Sequence, residues 1–197
     1  MPLADRYAEV LRAEGLARGL LGPREADRLW ERHLLNCLPL GELIPTAVSV
    51  ADIGSGAGLP GVVLAIARPD LRVTLVEPLL RRATFLREVV DIVELPNVEV
   101  VRSRAEELPK GWAVDVVTAR AVAPLERLAG WCLPLVVPGG ALLAVKGERA
   151  AAELAEAEPT LRRLGASGWR VVDAGPVSGL PPLRVVEVLA RRVPQRT

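Results

Sequence analysis

The sequence predicts an α/β fold: a seven-stranded, mostly parallel Rossmann-like sheet with helices on both faces, preceded by an N-terminal helical extension. Three observations predict it. From residue 48 onward, short Val-, Ile- and Leu-rich runs alternate with segments of helical periodicity, the pattern of repeated βαβ units. The first such run enters a glycine-rich turn, "DIGSGAGLPG", and then a helix. The last two runs are joined only by the loop "GPVSGLPPLR", which makes them an antiparallel pair at one sheet edge.

The elements follow in order. Leu3, Tyr7, Val10, Leu11 and Leu16 lie near helical spacing over residues 3–20. "GPRE" at 22–25 reads as a break and a helix start, with Pro23 in the first turn. The next helix is expected to reach about Leu40, with Leu29, Trp30, His33, Leu34, Cys37 and Leu38 on one broad face. "GELIPTA" is a loop. Strands are expected at 48–53, 72–77, 98–102, 113–118 and 140–146, and helices near 60–68, 79–93, 124–133 and 149–164. Two more strands are expected at 169–174 and 183–190. The organisation is thus a helical extension at 1–44, a sheet domain at 45–192 and a loose tail at 193–197.

Composition narrows the function classes. The chain has 197 residues and a formal net charge of +1, which argues against a uniformly basic nucleic-acid coat but leaves room for a local basic patch. Cys37 and Cys132 are far apart and match no zinc spacing, and His33 is the only histidine, so no metal site is expected. No run approaches the roughly 20 apolar residues of a bilayer span. The expectation is a cytoplasmic monomer with neither metal nor membrane anchor.

The turn carries the chemistry. Gly54, Gly56 and Gly58 alternate, which allows a sharp turn and close approach of a ligand to the backbone. A dinucleotide fingerprint would require G-x-G-x-x-G, but Leu59 occupies the third glycine position and Pro60 follows. No G-x-x-x-x-G-K-[ST] occurs, which argues against a P-loop. Asp52 would oppose a pyrophosphate and suits an ammonium or sulfonium. Glu77 ends the next strand, where a carboxylate can accept both hydroxyls of a ribose. These features favour S-adenosylmethionine. A dinucleotide, or a tight turn with no ligand, are the alternatives.

Other strand ends converge on the same place, because ligands of such sheets bind beyond the carboxyl ends of the strands. Ala105 and Glu106 follow the third strand, where an adenine ring would lie. Ser103 to Glu106 also has capping-box spacing and would serve equally as a helix start. Arg120 ends the fourth strand. A cation there requires a partner, either a ligand or a structural ion pair.

"WERHLLNCL", "VADIGSGAGLPGVVLAIARPDLRVTLVEPLLRRATFLREVV", "SRAEEL", "ARAVAPL" and "AVKGE" occur in that order. Together they resemble the bacterial 16S ribosomal RNA guanine-N7 methyltransferase family, also known as glucose-inhibited division protein B, over roughly residues 28–190. The resemblance implies a seven-stranded S-adenosylmethionine-dependent methyltransferase fold. It implies methyl transfer to N7 of a guanine in the decoding-region loop of 16S RNA. It also implies cofactor contacts from Gly54 and Leu59, an adenine flanked by Ala105 and Glu106, a ribose held by Glu77, and Arg120 completing the site. Asn36 and Cys37 stand where many members have Asp-Ser.

Guanine N7 is already a lone-pair nucleophile and needs no general base. In-line placement against the activated methyl group can supply most of the catalysis. A cation against N7 would oppose the charge that develops on the ring, so Arg120 and Lys146 are expected at O6 or phosphate. Lys146 ends the fifth strand and is expected to contact RNA or to be a solvated strand end. His33 is either a half-buried histidine bonded to backbone or a group near the target base. Arg28 and Arg32, and Arg81, Arg82 and Arg87, form two basic clusters that would suit RNA or a solvated face. The modest net charge fits a pre-shaped small-subunit particle as substrate. The competing readings are a methyltransferase for a small molecule or protein, a docking module without activity, and an NAD-dependent dehydrogenase.

Overall fold

In a computed structural model of the chain, residues 2–15, 17–20, 22, 28–175 and 180–191 are described. The expected helix break at 23–25, Leu16 and the tail at 193–197 lie outside them. Helix α1 (Leu3–Glu14) is followed by a π-helical turn, Trp30–Leu34, and a 3-10 segment, Leu35–Leu43. The sheet domain then runs β1 (Ser49–Ile53), α2 (Gly61–Ala67), β2 (Arg72–Val76), α3 (Leu80–Val93) and β3 (Val98–Val101). It continues with β4 (Val114–Arg120), α4 (Leu125–Cys132), β5 (Val136–Val145), α5 (Ala150–Arg163), β6 (Gly168–Ala174) and β7 (Leu183–Leu189).

The seven strands form one sheet in the order β3-β2-β1-β4-β5-β7-β6. All neighbours up to β5 are parallel, and β7 is antiparallel to both β5 and β6. The strand order reverses between β1 and β4, which opens a crevice at their carboxyl ends. Alternation along β1 feeds two cores. Val50 joins Tyr7, Leu11, Leu64 and Phe85 on the face covered by α1, α2 and α3. Ala51 and Ile53 join Leu125, Leu128 and Leu161 on the face covered by α4 and α5. Asp52 therefore points into the first face, with Val50.

Two segments depart from expectation. The apolar face from Leu29 to Leu38 is not a regular α-helix: it widens to a π turn and then tightens to 3-10 geometry. Pro39 supplies no N–H to an α ladder, which disfavours regular continuation at that point. Strand β5 starts at Val136, four residues before the expected 140. "PGG" at 138–140 reads as a turn, yet it forms a bulge where the β4–β5 register shifts between Val114 and Val116. Only glycine fits at 140, because a Cβ there would lie 2.2 Å from the Asp115 carbonyl oxygen.

Candidate functional site

A cleft of about 810 Å³ opens at the carboxyl ends of β1, β2 and β4. Gly54, Gly56, Leu59, Glu77, Arg120 and His33 all line it. Gly54 and Gly56 have φ of 70° and 57°, in the left-handed region where glycine is the easy choice. A second cleft of about 490 Å³ adjoins it, and the two share the wall Arg120–Ala121–Val122.

Glu77 braces the turn from beneath. It is 2% exposed, one carboxylate oxygen accepts from the Gly56 N–H at 3.0 Å, and the other accepts from the Leu79 N–H at 3.0 Å. Each carboxylate oxygen has further acceptor capacity. The remaining lone pairs suit a diol.

Asp52 has a different place. It is fully buried, outside the lining of the cleft, and its Oδ2 accepts from the Gly61 N–H at 3.0 Å, at the start of α2. Direct contact with a bound sulfonium, expected from its position in the sequence, is not available to a carboxylate closed off under the turn. Burial pushes its carboxyl up to about 7, against the opposing pull of the Gly61 hydrogen bond and the Arg120 cation. Its Oδ1 has no hydrogen-bond partner among the described residues. The folded state therefore retains a proton that the unfolded chain has lost. Between about pH 4 and pH 7 the unfolded state binds fewer protons, so this group makes stability fall as pH rises. Asp52→Asn keeps a carbonyl for Gly61 and carries no charge. Denaturant midpoints measured across that range should decline in the wild type and flatten in the variant. An equal decline in both would assign the effect to other groups.

Gly58 is likewise a packing position outside the cleft lining. A Cβ there would lie 2.6 Å from Val62 Cγ2 and 2.9 Å from the Tyr7 hydroxyl oxygen. Tyr7 itself donates to the Ala57 carbonyl at 2.8 Å, in a buried bond that ties α1 to the turn. Salt bridges from Arg18 to Glu88 in α3 and from Arg6 to Glu94 just past its end, both at 2.7 Å, hold the N-terminal segment against that helix. Sequence reasoning placed Tyr7 only on an apolar stripe. A lone tyrosine on such a stripe, needing a partner for its hydroxyl once buried, was the available signal.

Arg120 is held by the N-terminal segment. Its Nη2 lies 2.8 Å from His33 Nδ1 and its Nη1 donates to Cys37 Sγ at 3.2 Å. Arginine has no acceptor, so His33 Nδ1 is the accepting nitrogen. His33 and Cys37, four residues apart, sit on the same side of the irregular helix, and Cys37 also donates to the His33 carbonyl at 2.9 Å. Burial pushes the Cys37 thiol up to about 11 despite the nearby Arg120. His33 thus lines the cleft as a partner of Arg120.

Two expected positions fall outside the clefts, and a third, Lys146, lines the second cleft but is already bonded within the protein. Ala105 is buried and Glu106 exposed, and neither lines the cleft, whereas Ser103, Arg104 and Glu107 do. The segment forms a short 3-10 turn, Ala105–Glu107, whose box closes between the Arg104 N–H and Glu107, one position later than the spacing implied. Lys146 does not reach into solvent. Its ammonium donates to the Ala123 carbonyl and to Glu153 Oε2, both at 2.7 Å, with its side chain 10% exposed. Arg82 and Arg102 line the cleft as well and add positive charge at its rim. Among the described residues, no group of three His, Cys, Asp or Glu is arranged to hold a metal ion.

Comparison with known proteins shows relatives in sequence and in fold. The sequence is 57% identical over 189 residues to Ribosomal RNA small subunit methyltransferase G of Nocardioides sp., covering 96% of this chain and 76% of that one. It is 58% identical over 188 residues to the protein of the same name from Thermobifida fusca, covering 95% and 79%. By fold it is similar to a SAM-dependent O-methyltransferase of Thermotoga maritima (TM-score 0.62, 15% identity, 87% of this chain and 72% of that one). It is also similar to a SAM-dependent methyltransferase of Aquifex aeolicus (TM-score 0.61, 19% identity, 86% and 98%). The sequence model of one family, rRNA small subunit methyltransferase G, matches residues 1–181. The chain therefore belongs to the rRNA small subunit methyltransferase G family.

Proposed function

We propose that the protein transfers a methyl group from S-adenosylmethionine to N7 of a guanine in the decoding-region loop of 16S ribosomal RNA. The observation that carries the reading is Glu77, set under the Gly54–Gly56 turn in the main cleft of a chain of this family. The residues fit the cofactor: positive-φ glycines open backbone to its amino-acid end, and Glu77 has acceptor capacity for its ribose. When bound, the cofactor supplies an activated methyl group on a sulfonium.

The chain's own part is placement. Guanine N7 attacks through its lone pair, so no side chain has to remove a proton first. Holding the base in line is the main source of rate, and contributions of this kind reach about 7–11 kcal/mol in well-oriented systems. Arg120 has five N–H groups and uses two of its terminal nitrogens on His33 and Cys37. Arg120 lines both clefts, where its remaining donors suit O6 or a phosphate. Lys146 retains donor capacity at the second cleft but is foremost a strut between Ala123 and Glu153. Arg82, Arg102 and Arg104 at the rim suit the phosphates of a folded RNA. The protein acts as a cytoplasmic monomer on a small-subunit particle or its RNA.

The test is a transfer assay with labelled S-adenosylmethionine, offering unmodified small subunits, naked 16S RNA and a small-molecule extract in parallel. Label recovered as N7-methylguanine from subunits or RNA is the expected result. Label found only in the extract would replace this reading with a small-molecule methyltransferase.

A further inference from the structure

The loop between β4 and α4 forms the wall shared by the two clefts, yet its conformation is not one the chain adopts cheaply. Ala121 has φ of 56°, in the left-handed region that non-glycine residues seldom occupy. The neighbouring Val122 leans over the glycine turn so closely that a Cβ on Gly54 would lie 2.8 Å from its Cγ2. Val122 is also 37% exposed, so apolar burial does little to hold it there. Something else must fix the loop.

The fastening comes from α5. One oxygen of Glu153, Oε2, accepts from the Leu125 backbone N–H at 3.0 Å and from the Lys146 ammonium at 2.7 Å. The same ammonium donates to the Ala123 carbonyl at 2.7 Å. A single carboxylate thus ties the start of α4, the end of β5 and the middle of the loop. Burial opposes its charge, but the bonds from Lys146 and Leu125 prevail and hold the carboxyl below the usual carboxylate range.

We propose that Glu153 is a positioning residue: through Leu125 and Lys146 it holds the Ala121–Pro124 loop in its strained conformation over the donor turn, where incoming base and methyl donor meet. The inference rests on the methyl-transfer reading of this cleft. Glu153 sits in the lining of the second cleft, but its Oε2 is taken up by the Leu125 N–H and the Lys146 ammonium, so it acts through the backbone it fixes. Removing it leaves the glycine turn, Glu77 and Arg120 in place, while the loop relaxes away from Gly54. The effect should therefore fall on turnover and much less on cofactor binding.

The experiment compares wild type, Glu153→Ala, Glu153→Gln and, as a control on the same helix, Glu156→Gln. Glu156 pairs with Arg149 on the exposed side of α5. Each is assayed for kcat and KM with small subunits, for S-adenosylmethionine affinity by calorimetry, and for amide exchange of the peptide spanning residues 120–127. Glu153→Ala should lower kcat at least about 10-fold, since small misplacements near a reacting centre are that costly. Its cofactor affinity should stay within about threefold, with faster exchange confined to the loop. Glu153→Gln, which keeps a carbonyl oxygen for both donors, should recover part of each loss. Unchanged kcat and unchanged loop exchange in Glu153→Ala would overturn the proposal. So would exchange that accelerates across the whole sheet with a matching fall in unfolding midpoint, because the role would then be structural only. If the wild type itself methylates no RNA, the functional reading fails, while the exchange comparison still decides whether Glu153 orders the loop.

Discussion

Replacing Arg120 with alanine should reduce methyl transfer at least about 100-fold, the scale on which misplacement of a reacting group acts. Arg120 ends β4 where it lines both clefts, and its guanidinium joins the sheet to the N-terminal segment through His33 Nδ1 and Cys37 Sγ. Its loss has two consequences. The donors it leaves at the two clefts it lines disappear. The π turn Trp30–Leu34 also loses the hydrogen bond that links it to β4, so one wall of the cleft loosens. Arg120→Lys should restore little, because an ammonium cannot span both His33 and Cys37 with a planar fork. Steady-state kinetics with small subunits, together with amide exchange over residues 30–43, read the two consequences separately. Wild-type kcat/KM in Arg120→Ala would remove this residue from the site.

The contrast between Arg120 and Lys146 shows how far a sequence reaches. Both end a parallel strand, and the rule that ligands sit beyond strand ends placed both at the site. That rule locates a Cα but does not choose a partner for the side chain. Arg120 met a histidine and a thiol from a segment more than 80 residues away, whereas Lys146 met a glutamate seven residues on. The same distinction separates Glu77 from Asp52. The sequence put Asp52 at the glycine turn, facing a cationic ligand, and nothing in the spacing said that the Gly61 N–H would take up its carboxylate instead. The sheet itself was legible because its strands are nearly continuous apolar runs bounded by turn residues. The helix boundaries after residue 48 were legible for the same reason. The segment from Leu29 to Leu43 was not, because an apolar face reports burial without distinguishing α from π or 3-10 winding. The tie from Tyr7 to the turn was not legible because its partner is a carbonyl of the glycine turn, 50 residues along the chain.

Glu77→Gln should weaken S-adenosylmethionine binding about 10- to 100-fold, although the two side chains have nearly the same shape. Glu77 accepts from two backbone N–H groups, one on each oxygen, in a site 2% exposed. Glutamine has one carbonyl oxygen, so its amide must point a donor at either Gly56 or Leu79. A buried donor left without an acceptor costs about 1–3 kcal/mol, which corresponds to roughly that range of affinity if the turn rearranges to relieve it. A second loss follows if the carboxylate accepts the ribose hydroxyls, because one charged acceptor is gone. A double-mutant cycle separates the two. Wild type and Glu77→Gln are each titrated with S-adenosylhomocysteine and with its 2′-deoxy analogue. If Glu77 holds the ribose, the wild type should prefer the hydroxylated ligand and the variant should lose most of that preference. If Glu77 only braces the turn, both ligands should weaken by the same factor in the variant, and the ribose contact would have to be sought at another residue of the cleft.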